Sequence, residues 1–234
     1  MLKKVLSKAF AFQIPDVNKA VLFRALSDKT RPTSKNISGI AKPVILIYVA
    51  SKRQQTVAEI ILKEWQSLFS DYQLLLTYSV RKIIPGAIRL FNSELQLVVM
   101  RYPIEVCFHK NINRIKPCLI LLIEDCFYPR LIRFSKKIGS KVVLINGRVT
   151  NGLRLVHRLA PRFLKAVFEQ VDLLIMDSVD EANRIGKLGA ELSSIMVSNV
   201  IDYRYDSFDE KESNRTDTIS KVTDAIGALL RRDL

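Results

Sequence analysis

From residue 43 onward, short runs dense in β-branched and leucine side chains alternate with amphipathic stretches of helical period. The runs lie at 44–49, 73–77, 95–100, 118–123, 141–145, 171–176 and 194–197. They are apolar almost without a break, as expected of strands buried on both faces of a parallel sheet. The helical patterns lie at 56–69, 81–91, 105–115, 128–138, 161–169 and 178–188. Ser178, followed by Asp180 and Glu181, has the character of a helix start, and Gly139 and Gly189 stand where helices should end. Alternation at this spacing predicts an open, doubly wound α/β sheet of six to seven parallel strands over residues 43–202. Residues 1–42 are expected to form a basic, mainly helical segment with a polar connector at 27–38. Residues 203–234 read as a polar linker and a final helix, with Ile219, Val222, Ile226, Leu229 and Leu230 turned inward.

With 48% hydrophobic and 26% charged residues over 234 positions, the chain has globular composition, which excludes wholesale disorder. Cys107, Cys118 and Cys126 make neither a complete disulfide set nor a C-x-x-C metal spacing. They are expected to be core fillers in a reducing, cytosolic compartment, and no metal or cofactor is implied.

The net charge is +14, and half of it sits at the start. Residues 1–42 hold nine Lys/Arg against Asp16 and Asp28, a net +7. Such a field attracts polyanions, or it is a solvated basic face. Within residues 1–12, Leu2, Val5, Leu6, Ala9 and Phe10 share one helical face bordered by Lys3, Lys4 and Lys8. That segment is either an interfacial membrane helix or a helix packed on the domain. No run reaches the roughly 18–20 apolar residues that span a bilayer, and Lys8 interrupts any signal-peptide core. Nucleic-acid binding would rest on charge alone, so no nucleic-acid partner is expected.

In a parallel open sheet, ligands sit beyond the carboxyl ends of the strands. After the first run comes Ser51-Lys52-Arg53-Gln54, with neither a G-x-G-x-x-G nor a phosphate-loop lysine motif. Lys52 and Arg53 near a helix N-terminus make an anion site, or are two solvated loop cations. Glu124-Asp125 follows the 118–123 run. Adjacent carboxylates on extended backbone point apart, so one faces the crevice. Glu124 is the candidate for acid/base work, with Asp125 left as a helix cap. Arg130 follows in the next helix, and Asn146-Gly147-Arg148 follows the 141–145 run. Arg148, between glycines, should be free to reach a phosphate or carboxylate. His157, on a helix among Arg154, Arg158 and Arg162, reads as a surface histidine.

Several of these segments, in this order, resemble the N-terminal half of the 3-deoxy-D-manno-octulosonic acid (Kdo) transferases. These are bacterial glycosyltransferases of lipopolysaccharide synthesis, with two Rossmann-like domains facing a cleft in the GT-B arrangement. The likeness runs from about residue 42 to about residue 202. Pro43 to Ser51 looks like the family's first strand and the start of its serine-valine-glycine-glutamate loop. Leu121 to Glu124, with Tyr128-Pro129, resembles its glutamate-threonine-glutamate-leucine-tryptophan-proline-asparagine segment. Asn146-Gly147-Arg148 is similar to its asparagine-alanine-arginine segment. Phe168 to Ser178, with Glu181-Ala182 and Leu188-Gly189-Ala190, follows its next strand and helix.

The resemblance implies a Rossmann-like, acceptor-side domain. It puts Gln54 where the family has its catalytic glutamate, and Arg53 where the family has the preceding glycine. Cys126 replaces a second acid, Arg130 an asparagine, and Tyr102-Pro103 a tyrosine-aspartate pair. An amide cannot take a proton from a hydroxyl at neutral pH. The family's donor-binding domain and membrane anchor are not recognisable before Leu234. The implied anion-binding set is Ser51, Lys52, Arg53, Arg130, Asn146 and Arg148, with Glu124 beside it. The implied partners are an anionic lipid or phospho-sugar acceptor, a separate donor-domain chain, and the inner face of the bacterial inner membrane. Two functions fit: half of a Kdo transferase, or a non-catalytic binding or scaffold protein derived from it.

Overall fold

The computed structural model describes residues 42–49, 51–78, 112–113, 115–124, 128–198 and 212–231. The expected N-terminal segment, the strand at 95–100, the helix at 81–91 and most of that at 105–115 lie outside these residues, as do Tyr102-Pro103 and Asp125-Cys126. In chain order the elements are β1 (Val44–Val49), α1 (Lys52–Leu68), β2 (Gln73–Tyr78), β3 (Leu119–Ile123), α2 (Pro129–Lys137) and β4 (Lys141–Gly147). Then follow α3 (Asn151–Leu159), α4 (Pro161–Phe168), β5 (Leu173–Met176), α5 (Val179–Lys187), β6 (Ile195–Val197) and α6 (Glu212–Arg231).

Six strands form one sheet in the order β2-β1-β3-β4-β5-β6, and every neighbouring pair is parallel. Strand side chains alternate between two buried faces, which explains why the runs carry no polar alternation. Val44, Leu46, Tyr48, Ile120, Leu122, Val142, Leu144 and Leu174 face one layer, built from α2, α3, α4 and α5. Ile45, Ile47, Val49, Leu119, Leu121, Ile123, Val143 and Ile145 face the other, built from α1 and α6. The result is a three-layer α/β domain, as the alternation predicts.

α6 completes the second layer. Ile219, Val222, Ile226 and Leu230 are buried there, and Leu229 packs on the edge. The Trp65 indole N–H of α1 donates to Thr223 Oγ1 at 2.9 Å, and that hydroxyl donates to Ile219 O at 2.7 Å. The polar edge of a fully buried indole is thereby satisfied.

Three boundaries differ from expectation for local reasons. α1 begins at Lys52 rather than 56, because Ser51 and Gln54 cap it. β4 runs on to Gly147, so Asn146 belongs to the strand rather than to the loop after it. α3 is the helix expected around His157, ending at Leu159 before Arg162 and separate from α4; Thr150 caps it, its Oγ1 accepting from Leu153 N–H at 3.2 Å. Cys118 donates to Val44 O at 3.2 Å, and burial pushes its thiol pKa up, the state of a packed cysteine. No helix among the described residues is long and apolar enough to cross a membrane.

Candidate functional site

β1 has β2 on one side and β3 on the other, so the described chain winds outward from β1 in both directions. In such sheets the ligand crevice opens at this reversal, beyond the carboxyl ends of the strands. Ser51 follows β1, Glu124 follows β3, and Asn146 and Arg148 stand at the end of β4. Adjacent strands lie about 4.8 Å apart, so the three strand ends form one row roughly 10 Å long.

The first member of the row is a helix start. Ser51 is extended (φ −138°, ψ 163°), and its Oγ accepts from Gln54 N–H at 3.2 Å. Gln54 Oε1 reaches back to accept from Ser51 N–H, also at 3.2 Å. This reciprocal box satisfies two donors at the helix N-terminus. It holds the Gln54 amide in place with 2% exposure. Lys52 and Arg53 occupy the first turn of α1, and their side chains lie outside the described residues.

The second and third members share a conformation. Glu124 has φ 58° and Asn146 has φ 56°, both in the left-handed region that non-glycine residues rarely adopt. They are neighbours across the sheet: Ile123 pairs with Ile145, and Glu124 N–H donates to Ile145 O at 2.8 Å. Both are buried, Glu124 at 6% exposure and Asn146 at 0%. Among the described residues, neither Nδ2 nor Oδ1 of Asn146 has a hydrogen-bond partner. Left-handed backbone at two adjacent strand ends, with an unsatisfied buried amide at one of them, is a concentration of strain typical of a functional site.

Arg148 is not free, contrary to what its glycine neighbours suggest. Its Nε donates to Asp177 Oδ2 at 2.6 Å, across from β4 to the end of β5. Gly147 serves packing instead: a Cβ there would lie 2.8 Å from Met176 Sδ and 3.0 Å from Leu144 Cδ2. The next residue is held as well, because Val149 N–H donates to Glu181 Oε2 at 2.6 Å. Glu181 also pairs with Arg184, and Ser178 Oγ accepts Glu181 N–H at 3.3 Å. Asp177 and Glu181 thus clamp the loop that carries Arg148. An anion arriving at Arg148 meets a guanidinium whose Nε is engaged but whose side chain remains 40% exposed.

The structure brings Ser51, Gln54, Glu124, Asn146 and Arg148 to one edge of the sheet. Arg130 lies in the first turn of α2, exposed, on the helix that follows β3. His157 is half-buried on α3, away from the row. Asp177 and Glu181 were not among the expected site residues. The signal was present, since Asp177 directly follows a strand, where ligand-facing residues are sought. An open depression of about 390 Å³ among Lys165, Glu169, Gly189, Ala190 and Glu191 lies where α4 and α5 end, at the opposite edge of the sheet.

Residues 24–206 match the family described as 3-Deoxy-D-manno-octulosonic-acid transferase (kdotransferase), in its N-terminal glycosyltransferase domain. A 3-deoxy-D-manno-octulosonic acid transferase of Chlamydia muridarum is 23% identical over 158 residues, covering 67% of this chain and 36% of that protein. A bifunctional glycosyltransferase/methyltransferase of Fusobacterium nucleatum is 23% identical over 148 residues, covering 62% of this chain and 23% of that protein. The chain therefore spans between about a quarter and little more than a third of the length of these curated relatives. Among solved structures, one described as a UDP-N-acetylglucosamine 2-epimerase from Listeria monocytogenes superposes with a TM-score of 0.50 at 8% identity. It covers 72% of this chain and 50% of that one, a likeness of fold alone and consistent with one Rossmann-like unit of the GT-B type. Since well over half of its residues fall within the family match, the chain belongs to the 3-deoxy-D-manno-octulosonic-acid transferase family.

Proposed function

We propose that this chain is the acceptor-side half of a Kdo transferase. It moves Kdo from CMP-Kdo to a lipid A precursor only when a partner chain supplies the donor domain. The observation that carries this reading is the row of Gln54, Glu124, Asn146 and Arg148 at the sheet's reversal point, in a chain of this family. Phosphate groups of the acceptor are met by Arg148 and Arg130, and by the α1 N-terminus with Lys52 and Arg53. Transfer makes a bond from an acceptor hydroxyl oxygen to the anomeric carbon of Kdo while CMP leaves. The hydroxyl proton must go to a base, and donor and acceptor must share one cleft. The protein works as a peripheral protein at the inner face of the bacterial inner membrane, drawn there by the +7 of residues 1–42.

A second reading, a non-catalytic binding protein for the same anionic acceptor, is favoured by Gln54. Its amide serves the helix cap and cannot act as base. One experiment separates the two. Purified chain with CMP-Kdo and a lipid A precursor is expected to show no turnover. With the partner domain added, Gln54→Glu keeps an acceptor for Ser51 N–H and should raise turnover by about 10²–10⁴-fold, the worth of a positioned base. Robust turnover by the isolated chain overturns the need for a partner. No turnover by Gln54→Glu with the partner present leaves the binding-protein reading standing.

A further inference from the structure

The pairing of β4 with β5 slips by one residue at its carboxyl end. Leu144 pairs with Leu174, but Gly147 pairs with Met176. β4 therefore takes three steps where β5 takes two, and Asn146, at φ 56°, lies within the slip. An extra residue in one strand is a bulge, which re-aims the side chains that follow it. Without the slip, Gly147 would stand opposite Asp177 and Arg148 opposite Ser178. With it, Asp177 N–H donates to Gly147 O at 3.4 Å, and Arg148 comes level with Asp177.

The bond that results engages one part of the guanidinium. Arg148 Nε donates to Asp177 Oδ2 at 2.6 Å, while among the described residues Nη1 and Nη2 make no hydrogen bond. An ion pair whose arginine is 40% exposed adds little to stability. A carboxylate beside an anion site also repels the anion. Asp177 is thus a poor choice for stability and for charge, and a good one for geometry.

We propose that Asp177 is a positioning residue. It holds Arg148 by Nε so that the Nη1–Nη2 edge is presented as a fixed fork to a phosphate group at the strand ends. The proposal rests on the acceptor-site reading above, which gives Arg148 a phosphate to bind. The fork matches two phosphate oxygens. A tethered arginine has less rotamer freedom to lose when the ligand arrives. Val149 N–H, held by Glu181 Oε2 at 2.6 Å, fixes the backbone on the far side of Arg148. The left-handed turn at Asn146 then has a use, because its strain sets Arg148 beside Asp177.

The test is calorimetric titration of the full-length chain with inorganic phosphate and with glucose 1-phosphate, and the sign of the effect decides. If Asp177 only repels, Asp177→Ala and Asp177→Asn both bind phosphate more tightly than wild type. If it positions Arg148, Asp177→Ala binds about three- to tenfold more weakly, although a negative charge has gone. Asp177→Asn keeps an oxygen that accepts from Nε and should recover most of that loss. Arg148→Lys keeps the charge but cannot offer one edge to Asp177 and another to the ligand, so it should also bind more weakly. Adding Asp177→Ala to Arg148→Lys should then lower binding no further. The Arg148 Nε–H signal in NMR should exchange slowly with water in wild type and Asp177→Asn, and fast in Asp177→Ala, a signature that general destabilisation does not give. Binding by Asp177→Ala equal to or tighter than wild type overturns the proposal and leaves the acceptor reading standing. Should the alanine variant fail to fold, wild-type binding by Arg148→Lys overturns it in the same way. A wild type that binds neither probe overturns both.

Discussion

Asn146 is strained twice over. Its backbone sits at φ 56°, and its amide is fully buried without a hydrogen-bond partner among the described residues. Each feature alone is destabilising by about 1–3 kcal/mol. Glycine adopts the left-handed region freely and carries no amide, though it gains about 0.5–1 kcal/mol more entropy in the unfolded chain. Asn146→Gly should therefore raise stability by about 1 kcal/mol in urea unfolding, a net of these opposing effects. The same change should weaken binding of an anionic phospho-sugar if Asn146 belongs to the acceptor site. A loss of stability larger than 1 kcal/mol would show that the amide is satisfied in solution. At this scale the sequence is legible in part. The rule that ligand-facing residues follow buried strands finds Glu124, Asn146 and Arg148. It cannot show that Arg148 is held by Asp177, 29 residues away at the end of another strand, nor that two strand ends turn left-handed. Both depend on what the neighbouring strand presents.

Among the elements, α1 and α6 depend on each other most directly. Trp65 is fully buried, and Thr223 is the acceptor for its N–H. Thr223→Val keeps the shape and removes the acceptor. It should cost about 1–3 kcal/mol, read as a lower urea midpoint with unchanged slope, because a buried donor is left unpaired. Thr223→Ser should recover most of the loss; if Thr223→Val is neutral, the bond contributes nothing net. The start of α1 at Lys52 is written in the Ser51-x-x-Gln54 spacing, but the apolar period becomes visible only from Val57. α3 is harder to read. Leu155 and Leu159 extend its apolar arc well past the buried Leu153 and Val156, which blurs the narrow stripe that marks an amphipathic helix.

Over the whole molecule, the alternation of buried runs and helices makes the parallel three-layer architecture legible. The strand order is not, since any run apolar on both faces fits any interior place in the sheet. The charge field acts at this scale too, and at physiological salt it reaches only about 8 Å, so attachment depends on which cations touch the surface. Deleting residues 1–12 should weaken vesicle sedimentation and leave soluble phospho-sugar binding intact, while Arg148→Ala should do the reverse. Equal binding to anionic and neutral vesicles would refute an electrostatic role for the N-terminal segment. The Trp65–Thr223 bond also sets a schedule for the nascent chain, because its partners are 158 residues apart. At roughly 5–20 residues per second on the ribosome, α1 waits about 10–30 s for the helix that covers it. During that interval the sheet face of Ile45, Ile47 and Leu121 lacks half of its cover, which makes the half-made domain a client for chaperones that shield apolar surface.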